Sequence, residues 1–112
     1  MRAVLGSLVL MSLFLATACN GGVGNDGDLV GGPCDHDREC VEECLGGKDF
    51  PDGTCSVACK DDYDCPGGTV CIDKQGGVCL LTCEVDSHCR GGYSCRDEDR
   101  KGAGGKAGVC ID

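Results

Sequence analysis

The feature that most constrains this chain is a cysteine pattern that repeats three times. Three segments end in the same Gly-x-Cys triplet: Gly53-Thr54-Cys55, Gly77-Val78-Cys79 and Gly108-Val109-Cys110. Counting back from each triplet groups the cysteines as Cys34, Cys40, Cys44, Cys55, then Cys59, Cys65, Cys71, Cys79, then Cys83, Cys89, Cys95, Cys110. In every group five residues separate the first two cysteines, and the middle one is Asp: Asp37, Asp62 and Asp86. The second and third groups share Cys-x-Gly-Gly-x-x-Cys, with Gly67, Gly68 and Gly91, Gly92. The first shortens that stretch to Val41-Glu42-Glu43 and carries Gly46 and Gly47 beyond its third cysteine. Such self-similarity marks a string of equivalent units. Their bounds are 34–55, 56–79 and 80–112. The linkers, Ser56-Val57-Ala58 and Leu80-Leu81-Thr82, are so short that neighbours must pack, which predicts one rod-like array over three free beads.

Covalent closure is expected to hold these units together. The chain has no Trp, two Tyr (Tyr63, Tyr93) and, beyond the first eighteen residues, one Phe, Phe50. So few large apolar groups fall short of an ordering entropy of about 1.5 kcal/mol per residue. Thirteen cysteines in 112 residues is the composition of a disulfide scaffold. The predicted fold class is small and disulfide-rich: three tandem four-cysteine modules with short strands and turns and little regular secondary structure. Strands are expected over 69–73, 78–82 and 109–111, joined by Gly-rich turns. Each repeated Asp suits the first position of a turn, its carboxylate accepting an N–H two or three residues on. If each module closes on itself, roughly 27 pairings remain, and first-to-third with second-to-fourth is preferred. Structural zinc and catalytic redox sites favour Cys-x-x-Cys, a spacing missing here, so no metal or cofactor is predicted.

The front of the chain has a separate job. Residues 1–18 hold one basic residue, Arg2, an apolar run over 3–15, then Ala16, Thr17 and Ala18; this reads as a removable secretory signal too short to span a bilayer. Leu15-Ala16-Thr17-Ala18-Cys19 resembles the bacterial lipobox, with Ala16 where that family usually has a large aliphatic residue. The resemblance implies cleavage before Cys19 and lipidation there, with diacyl lipid on sulfur and a further acyl chain on the amine. Setting Cys19 aside leaves an even twelve cysteines for pairing. Residues 20–33, rich in glycine, are expected to be a flexible tether with a reach of about 20 Å. In lipoprotein families an Asp after the acylated cysteine marks inner-membrane retention; Asn20 there implies the outer membrane or cell surface of a bacterial envelope.

Charge and motif narrow the function. Removing 1–18 with Arg2 takes the formal net charge from −9 to −10, which argues against nucleic acid and leaves membrane attachment to the lipid on Cys19. Three acidic loops, Asp35/Asp37/Glu39, Asp61/Asp62/Asp64 and Glu84/Asp86, are candidate calcium sites, though none has EF-hand order. Two longer loops, 45–51 with Phe50 and 96–107, suggest a protease inhibitor as an alternative, with Lys48, Arg100 or Lys101 in contact. His36 and His88 stand at non-equivalent positions without a nucleophile in relation to either, so no catalytic residue is assigned and no enzyme is expected.

The unit Cys-x-x-Asp-x-x-Cys-x-Gly-Gly-x-x-Cys-x(7)-Cys, from Cys59 to Cys79 and in part from Cys83 to Cys95, resembles the cysteine-rich repeats of bacterial lipoproteins. It is also similar to the N-terminal cysteine-rich domain of the Dickkopf family, secreted antagonists of cell-surface receptors. That likeness implies a disulfide-rich binding module. The sequence therefore predicts a lipid-anchored extracytoplasmic protein, acting as a structural or protein-interaction module on a protein partner it does not identify.

Overall fold

The computed structural model describes residues 22–112; the signal and Cys19 lie outside them. Each module folds as a loop stapled across an antiparallel hairpin. Strand β1 (Glu43–Leu45) pairs with β2 (Thr54–Ser56), β3 (Thr69–Ile72) with β4 (Val78–Leu81), and β5 (Ser94–Asp99) with β6 (Lys106–Ile111). The third and fourth cysteines of a module stand opposite one another: Cys44 to Cys55, Cys71 to Cys79, Cys95 to Cys110. Each bonds back to the preceding five-residue loop instead of across the ladder. The pairs are Cys34–Cys44, Cys40–Cys55, Cys59–Cys71, Cys65–Cys79, Cys83–Cys95 and Cys89–Cys110, first-to-third and second-to-fourth throughout. The loop in each carries one 3-10 turn: Asp37–Glu39, Asp62–Asp64 and Asp86–His88. By loop-closure entropy each staple contributes about 3 kcal/mol. The chain has the small disulfide-rich fold its spacing predicts.

The Gly-x-Cys triplet has a steric cause. A Cβ on Gly53, Gly77 or Gly108 would lie 1.9, 2.2 or 2.8 Å from the carbonyl oxygen of Cys34, Cys59 or Cys83. These carbonyls accept no side chain at that distance, so only glycine lets the module's first cysteine lie against its last strand.

Linkers join modules by adding to the next hairpin. Ala58 bridges Val78, and Cys79 donates its N–H to Val57 O (3.0 Å). Likewise Thr82 bridges Val109, and Cys83 N–H reaches Gly108 O (3.0 Å). The first module is approached in the same way, which corrects the expected tether. Gly31 N–H donates to Cys55 O and Cys55 N–H to Gly32 O, both 2.9 Å, while Val23 bridges Val30 in a loop closed on Gly22 O. Val30 is fully buried among Cys59, Cys71 and Cys79. Gly27, Gly31 and Gly32 serve close packing: a Cβ on Gly27 would meet Gly22 O at 2.6 Å.

The rod is also corrected. In a linear array each unit touches only its neighbours, but here the first and third modules meet directly. Leu45 and Phe50, Ile72, Val78 and Leu80, and Tyr93, Val109 and Ile111 form one buried cluster to which all three modules contribute. Each module's apolar set is meagre, as composition implies; pooled, the three close a core. Phe50, expected in an outward loop, is 1% exposed at its centre. The segment 96–107 is likewise no free loop: β5 and β6 extend through it, and its tip lies on the second module, with Ile72 bridging Arg100 and Asp73 N–H donating to Asp99 O (2.9 Å). Charged Asp97 and Glu98 of β5 opposite small Gly108 and Ala107 of β6, with Asp99 facing Lys106 across the ladder at 2.8 Å, extend the hairpin beyond the short 109–111 strand expected. Among the described residues, no helix is long and apolar enough to cross a membrane.

Candidate interaction surface

The acidic loops are frames. Asp37, Asp62 and Asp86 each accept, through Oδ1 at 2.9 Å, the backbone N–H of their module's third cysteine: Cys44, Cys71 and Cys95. The partner lies seven to nine residues on, not the two or three expected of a local cap. Each carboxylate therefore ties the 3-10 turn to the hairpin, parallel to the disulfide. The loop's last residue closes it from the other side. Glu39 accepts from Asp35 and His36 N–H, Asp64 from Lys60 N–H (2.8 Å), and the imidazole Nδ1 of His88 from Glu84 N–H (3.2 Å). In the second module Asp61 adds the short cap, accepting from Tyr63 N–H at 2.9 Å. These N–H donors hold the Glu39 carboxyl below its ordinary range; Cys71 N–H first, then the Arg100 guanidinium, do so for Asp62.

Six of the eight candidate calcium ligands, Asp37, Glu39, Asp61, Asp62, Asp64 and Asp86, thus each turn an oxygen to a backbone N–H. Sulfurs of Cys34/Cys40/Cys44, Cys59/Cys65/Cys79 and Cys83/Cys89/Cys110 do converge within 4.8 Å, but every one is in a disulfide and offers no thiolate.

Of the basic residues singled out from sequence, two are tied down. Arg100 pairs with Asp62, Lys101 Nζ donates to Gly76 O, and Lys101 N–H donates to Cys71 O. Lys48 is exposed, but on a turn closed by Phe50 N–H to Gly47 O (3.1 Å), not on an extended segment of the kind a protease cleft receives. The structure does not bring these three cations together.

Three features escaped the sequence. Arg90 and Tyr93 of the third module form a polar plug in the first: the Tyr93 hydroxyl donates to Pro51 O (2.9 Å), and Arg90 donates to Gly53 O, Thr54 Oγ1 and the Tyr93 hydroxyl. The guanidinium carbon sits 4.4 Å from the Tyr93 ring centroid. A charged hollow lies where the modules converge, lined by Lys48, Asp49, Lys74, Arg96, Glu98 and Asp112. Its centre is Lys74 of the second module, 3.7 Å from Asp49 of the first and 3.5 Å from Glu98 of the third. Last, Tyr63 is 97% exposed on the second 3-10 turn, whose backbone the Asp61, Asp62 and Asp64 carboxylates and the Cys65 disulfide immobilise. The only sequence hint of Tyr63 was its place in an acidic loop too short to bury it.

No protein family, curated protein or solved structure matches the chain.

Proposed function

We propose that this is a lipid-anchored protein of the bacterial envelope, a disulfide-rich interaction module held to its membrane through Cys19. The observation that carries this reading is the use of cysteines: all twelve from Cys34 to Cys110 bond to one another inside their modules, leaving Cys19, behind its lipobox-like Leu15-Ala16-Thr17-Ala18, to a different chemistry. Six disulfides also accord with an oxidising compartment outside the cytoplasm. Asn20 in place of Asp directs the protein to the outer membrane or cell surface.

The interaction role rests on rigidity. Tyr63 projects from a backbone already fixed by carboxylate and disulfide, so a partner gains aromatic contact area without ordering the loop that presents it. Its acidic neighbours Asp61 and Asp64 suit a partner surface carrying basic groups around an apolar pocket.

Metabolic labelling with a tagged palmitate in a bacterial host tests the anchor. Label is expected on the full chain and absent from a Cys19→Ser variant; label on neither removes the proposal.

A further inference from the structure

The folded part starts much closer to the proposed anchor than a fourteen-residue tether would allow. Cys19 and Gly22 are three residues apart, and a fully extended chain covers at most about 11 Å in that distance. What lies beside Gly22 must therefore lie near the acyl chains.

The molecule has two distinct poles. At one, the loop from Gly22 to Val30 touches all three modules: Val23 lies beside Gly68, Asp28 O accepts the N–H of Val41 (2.8 Å), and Asn25 Nδ2 donates to His88 O (3.1 Å). His88 N–H in turn donates to Val85 O (3.1 Å), placing Val85 in the same turn. Val41 and Val85, 59% and 50% exposed, are two of the three exposed large hydrophobic residues among those described, and both are at this pole; the third is Tyr63 on the second 3-10 turn. From here the first strands of the first two hairpins run away. The second module's chain leaves Gly68 through β3 to Lys74, a path of roughly 20 Å at 3.3 Å per residue. The corresponding path in the first module leads from Val41 to Lys48. Both end at the charged hollow, which is the other pole.

We propose that the pole formed by loop 22–33 with Val41 and Val85 rests directly on the bilayer that holds the acyl chains, and that the hollow at Lys48, Lys74 and Arg96 faces away from it. The inference rests on acylation of Cys19. With three residues of slack the domain cannot turn over, and the exposed valines enter the interfacial region while the neighbouring Asp26, Asp28, Glu42 and Glu84 carboxylates stay among hydrated headgroups and the hollow stays in water. The ionic junction of the three modules is then turned to solvent.

Tryptophan is foreign to this chain, so one introduced Trp gives a clean signal. Envelope-purified Val41→Trp, Val85→Trp and Lys48→Trp proteins, each checked by intact mass for acylation and six disulfides, are reconstituted into phosphatidylcholine vesicles with or without brominated acyl chains. Bromine is expected to reduce fluorescence roughly twofold at positions 41 and 85, where the side chain reaches the acyl boundary, and to leave position 48 unchanged. Equal quenching at 41 and 48, or quenching at neither valine position in acylated protein, overturns the orientation. Missing acyl mass instead overturns the anchor itself, so the two failures are read separately.

Discussion

The interior of the second module and the seam between the first and third are held by opposite means. Inside the module, Cys59–Cys71 and Cys65–Cys79 span 12 and 14 residues, and Asp62 adds its bond to Cys71 N–H. At the seam, side-chain hydrogen bonds cross 36 to 42 residues and no disulfide joins the two modules; Phe50, Tyr93 and Ile111 pack there, and Arg90 and Tyr93 donate to Pro51, Gly53 and Thr54. The difference teaches that cysteines make each unit, whereas a core shared by all three makes the protein.

The comparison is strained most by emptying the seam. Phe50→Ala should destabilise by about 3 to 5 kcal/mol, the usual range for deleting a fully buried phenyl ring. Thermal unfolding should show that loss while peptide mapping still finds all six disulfides. Scrambled disulfides would mean that the modules are not autonomous.

Arg90→Ala comes next. It leaves Gly53 O and Thr54 Oγ1 short of a donor and should cost about 1 to 3 kcal/mol; Tyr93→Phe should cost about 1 kcal/mol by losing one hydroxyl. Equal effects from substituting exposed Arg38 would show that the plug is not special.

Acid probes the module interior instead. Because Cys71 N–H and Arg100 depress the Asp62 carboxyl in the folded state, its contribution is present above the unfolded value near about pH 4 and is lost as pH falls through the lower folded value. Glu39 behaves alike through Asp35 and His36 N–H. The melting temperature should fall below about pH 4, and Asp62→Asn should flatten that fall. An unchanged acid limb in the variant would deny the tie a role.

Lys74→Met should have the smallest effect, below about 1 kcal/mol, since Asp49 and Glu98 meet it in partly exposed pairs. Raising salt should shrink the difference further, as measured by melting at two ionic strengths; a larger, salt-insensitive loss would move Lys74 from the rim of the seam to its core.

What the sequence disclosed follows the same division. Cysteine spacing and the Gly-x-Cys triplet are local signals, repeated three times, and they carried the modules and their pairing. The repeated Asp was visible as well, but its partner was not, because a carboxylate reaching nine residues to Cys71 N–H depends on how the loop folds over the hairpin. The shared core was hidden for a further reason: Phe50 sits among Gly46, Gly47 and Pro51, a context that reads as loop, and it is the cluster drawn from all three modules that gives it somewhere to go. The glycines of 22–33 carried the same composition as a tether; what holds them is Val30 buried beside three cysteines, with Leu29 packed against it and backbone bonds to Cys55. The charged hollow draws on residues up to 64 positions apart, Lys48 to Asp112, which no spacing rule connects.

The most direct test of the account is the intact mass of envelope-purified protein before and after reduction. Six disulfides and an acylated Cys19 predict a gain of twelve hydrogens, no reactive thiol in the native sample, and acyl mass confined to the peptide that begins at Cys19. A free thiol in native protein, or a disulfide that includes Cys19, would contradict it.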